Sequence, residues 1–267
     1  MVNFCAGFGI LLTWASVILL IFGNIGQLNP TLFPRHLRIV EIDTSGLSDA
    51  LAAASHSSSG NFSDLYNSGS TAYYVKGVNE SGHDGLRKTY EWGLWSYCAT
   101  NDGLGGDRSY CEDRTINPAF QPAKVLMEDI PTEYSNVLSE VLPDNVFTAD
   151  GYLGNYTQAA SYLIMVGSLA TALAALISLF ARRGAFLFAA FFSIIAFLGL
   201  AIGLIIYTVI FNRAIEAIDD ATVQGVKVGI TLSYGNALWL LWAACALMLL
   251  SIPSTAISCC TGRTDKA

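Results

Sequence analysis

The chain has 267 residues, of which 53% are hydrophobic and only 13% are charged, and its formal net charge is −7. Because an average soluble domain carries about 25% charged residues, this composition excludes an ordinary soluble protein and indicates a membrane protein. The acidity also argues against a nucleic-acid partner.

Four apolar runs are long enough to cross a bilayer, which takes about 20 residues in a helix. They lie at 4–23, 159–181, 185–211 and 234–257, and none of them contains Asp, Glu, Lys, Arg or His. Proton relays and paths for charged substrates usually need such groups. We therefore predict a bundle of four transmembrane helices that contacts membrane lipids, and we disfavour a transport function. A pore lined by backbone carbonyls or built by several copies is the alternative.

The first run lies where a cleaved signal peptide would lie, so that alternative is kept. The run has no basic segment before it, and its apolar length exceeds the usual signal-peptide core. The sequence from Gly23 to Gly26 is also a poor cleavage site. These features favour an uncleaved signal-anchor helix.

Positive charge in the short connections predicts the orientation of the helices. Arg182 and Arg183 separate the second run from the third, and the tail at 258–267 contains Arg263 and Lys266. Short basic loops usually stay in the cytoplasm. We therefore predict a multi-pass plasma-membrane protein with both termini in the cytoplasm.

The segments at 24–158 and 212–233 are then extracellular. Segment 24–158 carries 8 Lys and Arg against 17 Asp and Glu, a balance of −9. Three Asn-x-Ser/Thr sequences, which are acceptors for N-glycans, support this orientation. The predicted glycosylation sites are Asn61, Asn79 and Asn155.

The long segment contains enough residues for a small domain with its own core. Strands are predicted from Leu37 to Ile42 and at 70–78, and a helix capped by Thr44 or Ser45 is predicted to run to Ala54. A second helix is predicted to begin at Pro131 and to end before Pro143. The stretch 145–154 is predicted to be a loop.

The centre of this domain is predicted to be a hairpin formed by 89–100 and 108–112. Trp92, Leu94 and Tyr97 favour extended structure, and the Asn, Asp and Gly residues at 101–107 are typical of a turn. The turn brings Cys98 and Cys111 together in an oxidising compartment, where a disulfide is expected. Two free thiols are the alternative.

The sequence Gly93-Leu94-Trp95-Ser96-Tyr97-Cys98, followed by Cys111 in a four-pass chain, resembles the claudin-like superfamily. With Asn117-Pro118-Ala119-Phe120 and the very short connection between the second and third helices, it is most similar to the fungal Sur/PalI family. The resemblance implies an α-helical membrane protein, a four-helix bundle with a claudin-like, disulfide-stapled α+β extracellular domain. It also implies a fungal protein associated with eisosome domains, the cell-wall interface or ambient-pH signalling.

No group of residues predicts catalysis. The three histidines, His36, His56 and His83, are far apart, and the cysteines do not have metal-ligand spacing. His83-Asp84 is more simply a turn than a catalytic pair, which would need a positioned nucleophile. We predict no enzyme activity, no cofactor and no metal.

Two features concern association in the membrane. Gly199 and Gly203 have the spacing that lets helices approach closely, either within the bundle or against a partner. Cys5, Cys259 and Cys260 are candidates for palmitoylation, with reduced thiols as the alternative.

These observations lead to three functional hypotheses. The first is a non-enzymatic organiser of a membrane domain or cell-wall contact zone, which assembles laterally and recognises a partner through its outer domain. The second is an accessory subunit of a larger polytopic membrane enzyme, such as a cell-wall synthase, or of a channel. The third is a component of ambient-pH sensing. In each, Trp92, Gly93, Leu94, Trp95 and Tyr97 are expected to shape the outer domain.

Overall fold

The computed structural model describes residues 4–27, 36–55, 65–66, 74–75, 85–101, 109–112, 115, 118–142, 147–180 and 183–261. These residues form two compact units. The first, here called the bundle, contains residues up to 24, 159–206 and those from 237 onward. The second, here called the sheet unit, contains 25–158 and 207–236.

Four helices are long and apolar enough to cross a membrane. They are α1 (Phe4–Asn24), α5 (Asp150–Ser178), α6 (Arg183–Asp219) and α7 (Asn236–Thr261). In a bilayer a helix satisfies every backbone hydrogen bond within its own segment, so long apolar runs form this structure. The prediction of a membrane protein with four such helices is confirmed.

Small residues and a few polar contacts fill the interior of the bundle. Ala160, Ala174 and Ala196 are fully buried or nearly so. Side-chain hydrogen bonds link separate helices of the bundle: Ser16 Oγ donates to the Ala244 carbonyl at 3.0 Å, and Asn24 Nδ2 donates to Ser168 Oγ at 3.2 Å. Each bond satisfies a polar group that the membrane could not solvate.

The sheet unit contains a six-stranded sheet with the order β2-β5-β4-β3-β1-β8. All neighbouring strands are antiparallel except β2 and β5, which are parallel. The strands are β1 (Val40–Asp43), β2 (Tyr74–Val75), β3 (Thr89–Trp92), β4 (Tyr97–Thr100), β5 (Ser109–Cys111) and β8 (Thr231–Tyr234).

Strand β8 comes mainly from the second connection, 212–233, for which the sequence analysis predicted no strand. In the structure α6 continues to Asp219, and a small hairpin of β6 (Thr222–Val223) and β7 (Val226–Lys227) follows. Strand β8 then pairs with β1, with Leu232 opposite Ile42. Val40 and Ile42 are completely buried, so this pairing covers an apolar strand.

Three short helices accompany the sheet: α2 (Leu47–Ala54), α3 (Pro122–Asp129) and α4 (Ser135–Val141). Helix α2 contacts α4 and the β6–β7 hairpin, and α3 contacts α4. Helix α2 buries Leu47, Ala50, Leu51 and Ala54, which share one face at helical spacing. The largest fully buried side chains outside α2 include Ile39, Tyr90, Leu126, Ile130, Leu138 and Phe147.

Several predicted bounds differ from the structure. Residues 89–100 form two strands, β3 and β4, rather than one, so the stapled element has three strands. Helix α3 was not predicted; Pro122 occupies its first turn, where the missing N–H has no cost. Helix α4 begins at Ser135 because Pro131 to Tyr134 form a turn instead. Residues from Asp150 onward, predicted as loop, already belong to α5.

Candidate functional site: the stapled turn and its buried polar cluster

The motif Gly93-Leu94-Trp95-Ser96 forms the tight turn between β3 and β4. The Gly93 N–H donates to the Ser96 carbonyl at 2.9 Å, and Trp92 pairs with Tyr97 across the hairpin. Leu94 is buried, whereas Trp95 is half-buried. The motif therefore reverses the chain and leaves its second tryptophan nearest the surface.

A disulfide joins the next two strands, as predicted. Cys98 on β4 lies directly opposite Cys111 on β5, and the two Sγ atoms are 2.07 Å apart. Both half-cystines are buried. The bond thus staples the middle of the sheet instead of a surface loop. The connection predicted as a turn at 101–107 lies outside the described residues after Asn101.

The turn packs against the backbone that follows α1 in the sequence. A Cβ at Gly93 would lie 2.5 Å from the Gly26 carbonyl oxygen and 2.8 Å from Gln27 Cβ. Ser96 Oγ donates to the Gln27 carbonyl at 2.5 Å. Since no side chain fits between these backbones, glycine is the residue that permits the approach.

Gln27 also takes part in a buried charged cluster. Its Nε2 donates to Glu91 Oε2 at 2.9 Å, while Arg38 Nη1 contacts Glu91 Oε1 at 3.0 Å. A second carboxylate, Glu41, binds Arg38 Nη2 at 2.5 Å. Glu91 is only 3% exposed. A carboxylate so deeply buried is tolerated because it is paired and hydrogen-bonded.

A second polar contact joins β3 to α3. The Tyr90 hydroxyl donates to Asp129 Oδ2 at 2.8 Å and accepts the Arg87 N–H at 3.0 Å. Tyr90 is completely buried, and this burial raises its pKa well above the ordinary value, with the negative charge of Asp129 adding to the effect. The phenol therefore stays neutral and acts as a fixed hydrogen-bond donor.

Aromatic rings extend the site from the hairpin into the sheet unit. Trp92 stacks on Tyr97 with ring centroids 5.3 Å apart and meets Phe120 edge-on at 5.2 Å. Phe120 in turn meets Phe211, on α6, at 5.3 Å. Trp92, directly before the turn, therefore contacts both neighbouring rings and lies at the centre of this aromatic cluster.

The glycines predicted for helix packing lie between α5 and α6. A Cβ at Gly199 would lie 3.0 Å from the Leu163 carbonyl oxygen, and one at Gly203 would lie 2.9 Å from that of Ala160. Gly167 of α5 faces the same contact, 2.9 Å from Leu200 Cγ. This close face is consequently occupied within the chain.

The predicted modification sites are not brought together. Asn61 and Asn79 lie outside the described residues, and Asn155 lies exposed on α5. Cys5 belongs to α1, while Cys259 and Cys260 belong to α7, but the description of the chain does not extend to their side chains. Glycosylation and palmitoylation remain predictions.

Sequence reasoning missed the Glu91 cluster and the contribution of β8. The cluster joins residues from three separated segments, so no local pattern marks it. Strand β8 did carry a signal: Ile230 to Tyr234 are β-branched, apolar or aromatic at most positions and lie between Gly229 and Gly235. Such a run bounded by glycines is typical of a short strand.

Within the described part of the chain, no group of three or more His, Cys, Asp or Glu residues could hold a metal ion. The sequence model of the SUR7/PalI family matches residues 5–251. That range covers most of the bundle and the whole sheet unit. A search of curated proteins finds no match.

Proposed function

The chain belongs to the SUR7/PalI family, and from this premise we propose that it is a non-enzymatic plasma-membrane protein that organises a membrane domain or a cell-wall contact zone. In this proposal the bundle assembles laterally with further copies or relatives, and the sheet unit is an extracellular recognition domain. An eisosome-type domain of a fungal membrane is the setting that the family resemblance suggests.

The observation that carries the proposal is the apolar surface that the helices leave uncovered. On α6, Leu187, Phe188 and Phe191 are 65%, 64% and 58% exposed. On α5, Leu169 and Leu176 are similarly exposed. Because Gly199 and Gly203 are already used between α5 and α6, we propose that lateral contacts with neighbours use these outer faces.

The construction of the sheet unit supports a recognition role. A disulfide, a buried ion-pair cluster and an aromatic cluster fix the same few strands. Interactions of this kind hold a surface in one shape, which lowers the entropic cost of binding a partner. The acidic balance of the segment favours basic or cation-bearing partners over acidic polymers.

The absence of charged residues from the centre of each helix supports a structural role over a transport role. The described acidic groups deepest in the sheet unit, Glu91 and Asp129, are hydrogen-bonded to neighbouring side chains. A general base needs access to a substrate proton. These carboxylates instead have the environment of structural groups.

Purification in a mild detergent, with mass spectrometry of co-eluting proteins and their stoichiometry, tests the proposal. We expect self-association, together with lipids and family relatives. Recovery of one polytopic enzyme or channel at a near one-to-one ratio would instead support an accessory subunit and overturn the organiser role.

A matched pair of variants tests whether the exposed apolar face is the contact. Phe188→Ala with Phe191→Ala changes the outer face of α6, and Leu169→Ala with Leu176→Ala changes that of α5. We expect at least one pair to lower the oligomer fraction while the monomer keeps its thermal stability. Unchanged assembly in both pairs would remove these faces as the site of lateral association.

A further inference from the structure

Three side chains at neighbouring ends of α5 and α6 form an exposed aromatic and cationic group. The rings of Tyr152 and Tyr156 are 4.7 Å apart, and Arg213 Nη1 donates to the Tyr152 hydroxyl oxygen at 3.4 Å. Tyr156 is 51% exposed, and Arg213 is exposed as well. We call this group the Arg213 site.

Helix geometry places this site at the depth of lipid headgroups. At about 1.5 Å per residue, Tyr156 lies ~33 Å along α5 from Ser178. By the same rise, Arg213 lies ~39 Å along α6 from Leu187, where the apolar span begins. A hydrocarbon core is about 30 Å thick, with a headgroup layer beyond it. Tilting of the helices would lower both heights slightly.

The guanidinium of Arg213 is available for an anion. Among the residues that the structure describes, its polar contact is the Tyr152 hydroxyl, and it forms no ion pair there with Glu216, the acidic residue three positions further along α6. Arginine binds phosphate oxygens through several N–H groups at once. Tyrosine is enriched at this depth of a membrane because one end of its ring is apolar and the other end is polar.

We propose that Arg213, Tyr152 and Tyr156 form a binding site for the phosphate of a phospholipid headgroup. The lipid lies in the leaflet reached by the N-terminal end of α5 and the C-terminal end of α6. Arg213 binds the phosphate, the two tyrosines flank the headgroup, and the apolar surface of α5 below them contacts the acyl chains. The exposed side chains of Ala159 and Val166 continue that surface.

The proposal has a consequence for Asn155, which lies exposed between the two tyrosines in sequence. Residues three and four apart share a helix face, so Asn155 and Tyr152 lie on the same side of α5. A glycan there would cover the headgroup position. We therefore expect Asn155 to be unmodified and its amide to be free to contact the lipid.

Native mass spectrometry of the full chain, delipidated in detergent, tests the site. The protein is titrated with phosphatidic acid and with diacylglycerol of the same acyl chains, which lacks the phosphate. We expect Arg213→Gln to weaken phosphatidic acid binding about fivefold, the size typical of one basic residue at a charged membrane surface. Diacylglycerol binding should not change.

The control is Lys227→Gln, which removes an exposed positive charge from the β6–β7 hairpin and should bind phosphatidic acid as the original chain does. Arg213→Lys should retain most of the affinity. If Arg213→Gln does not fold, the variant Tyr152→Phe with Tyr156→Leu serves instead and should also weaken binding. Equal affinity in the original chain and the folded site variant would overturn the proposal.

Two further results decide the source of the phosphate and the state of Asn155. Millimolar inorganic phosphate should leave the lipid bound; displacement would overturn the lipid as the ligand. A chain that keeps only the Asn155 acceptor should migrate identically before and after glycosidase treatment. A shift in its mass would show a glycan at the site and contradict the proposal.

Discussion

In the bundle, glycines at 167, 199 and 203 bring two helices into backbone contact, and no charged side chain is buried among the residues whose burial is described. In the sheet unit, the glycine at 93 also allows backbone contact, but charged and polar groups are buried beside it. A helix in lipid satisfies its own backbone, so small residues suffice for packing. A small sheet needs cross-links between distant segments, which the disulfide, the ion pairs and the aromatic cluster provide.

Removing the disulfide should produce the largest difference in stability between the sheet unit and the bundle. The double variant Cys98→Ala with Cys111→Ala is expected to cost about 2–5 kcal/mol of unfolding free energy in the sheet unit. In a chain whose bundle tryptophans, Trp14, Trp239 and Trp242, are replaced by Phe, circular dichroism in detergent should show the helices retained after the fluorescence of Trp92 and Trp95 in the sheet unit has changed.

Cys245→Ala is the matched control, because Cys245 is a buried free thiol in the bundle. It should leave the tryptophan transition of the sheet unit where it is. A disulfide variant that unfolds no earlier than this control would show that the staple contributes little to the fold.

This contrast also explains which features could be predicted from the sequence. The helices follow from local composition: each apolar run carries its own evidence, and all four were predicted. Cys98 and Cys111 were paired correctly because a dense turn signal separates them. Glu91, Arg38 and Gln27 were missed because they come from three segments. Strand β8 was not predicted because its partner, β1, is about 190 residues away.

Breaking the charged cluster should have the next largest effect. Arg38→Met leaves the buried Glu91 carboxylate without its cation, which we expect to cost about 3 kcal/mol. Thermal unfolding of the sheet unit, followed by the fluorescence of Trp92 and Trp95 in the chain without bundle tryptophans, measures the loss. The double variant Arg38→Met with Glu91→Leu should lose less than the sum of the single changes, because it leaves no unpaired Glu91 charge.

Lys124→Met provides the comparison for Arg38. Its pair with Glu128 spans 3.9 Å, and both side chains are about half exposed, so its removal should cost only ~0.3–0.5 kcal/mol. Equal losses in Arg38→Met and Lys124→Met would mean that burial of Glu91 does not increase the cost of removing its cation.

The glycine of the turn tests the backbone contact in the sheet unit. In Gly93→Ala the added Cβ would lie 2.5 Å from the Gly26 carbonyl oxygen, so we expect a loss of about 1–3 kcal/mol. Gly151→Ala is the control, since nothing lies within 4 Å of a Cβ there. That helical variant should gain up to about 1 kcal/mol. A Gly93→Ala variant as stable as Gly151→Ala would contradict the close approach.

The buried phenol tests the polar contact between β3 and α3. Tyr90→Phe removes the hydrogen bond to Asp129 and should cost about 1–2 kcal/mol at neutral pH. Because burial raises the Tyr90 pKa well above the value of about 10 in the unfolded chain, the stability this group confers is complete below pH ~10. It is lost as the pH rises further.

The stability of the original chain should therefore fall more steeply above pH ~10 than that of Tyr90→Phe. Tyr66 and Tyr234 also have pKa values raised by burial, so part of the fall should remain in the variant. Urea unfolding at several alkaline pH values measures the slopes. Parallel slopes in the two chains would remove Tyr90 as a source of the alkaline dependence.

The smallest expected effect tests whether the bundle glycines serve the chain itself or an assembly. In Gly203→Ala the new Cβ would lie 2.9 Å from the Ala160 carbonyl oxygen, which forces α5 and α6 apart. The better helix propensity of alanine partly offsets this strain, so the net loss should be about 1 kcal/mol. Gly184→Ala, with nothing within 4 Å of its Cβ, should be neutral or stabilising.

If Gly203 packs only within the chain, Gly203→Ala lowers the unfolding temperature of the monomer and leaves the oligomer fraction unchanged in light scattering. A lower oligomer fraction with an unchanged monomer would place that glycine in an assembly contact, and the bundle, unlike the sheet unit, would then rely on a partner for part of its packing.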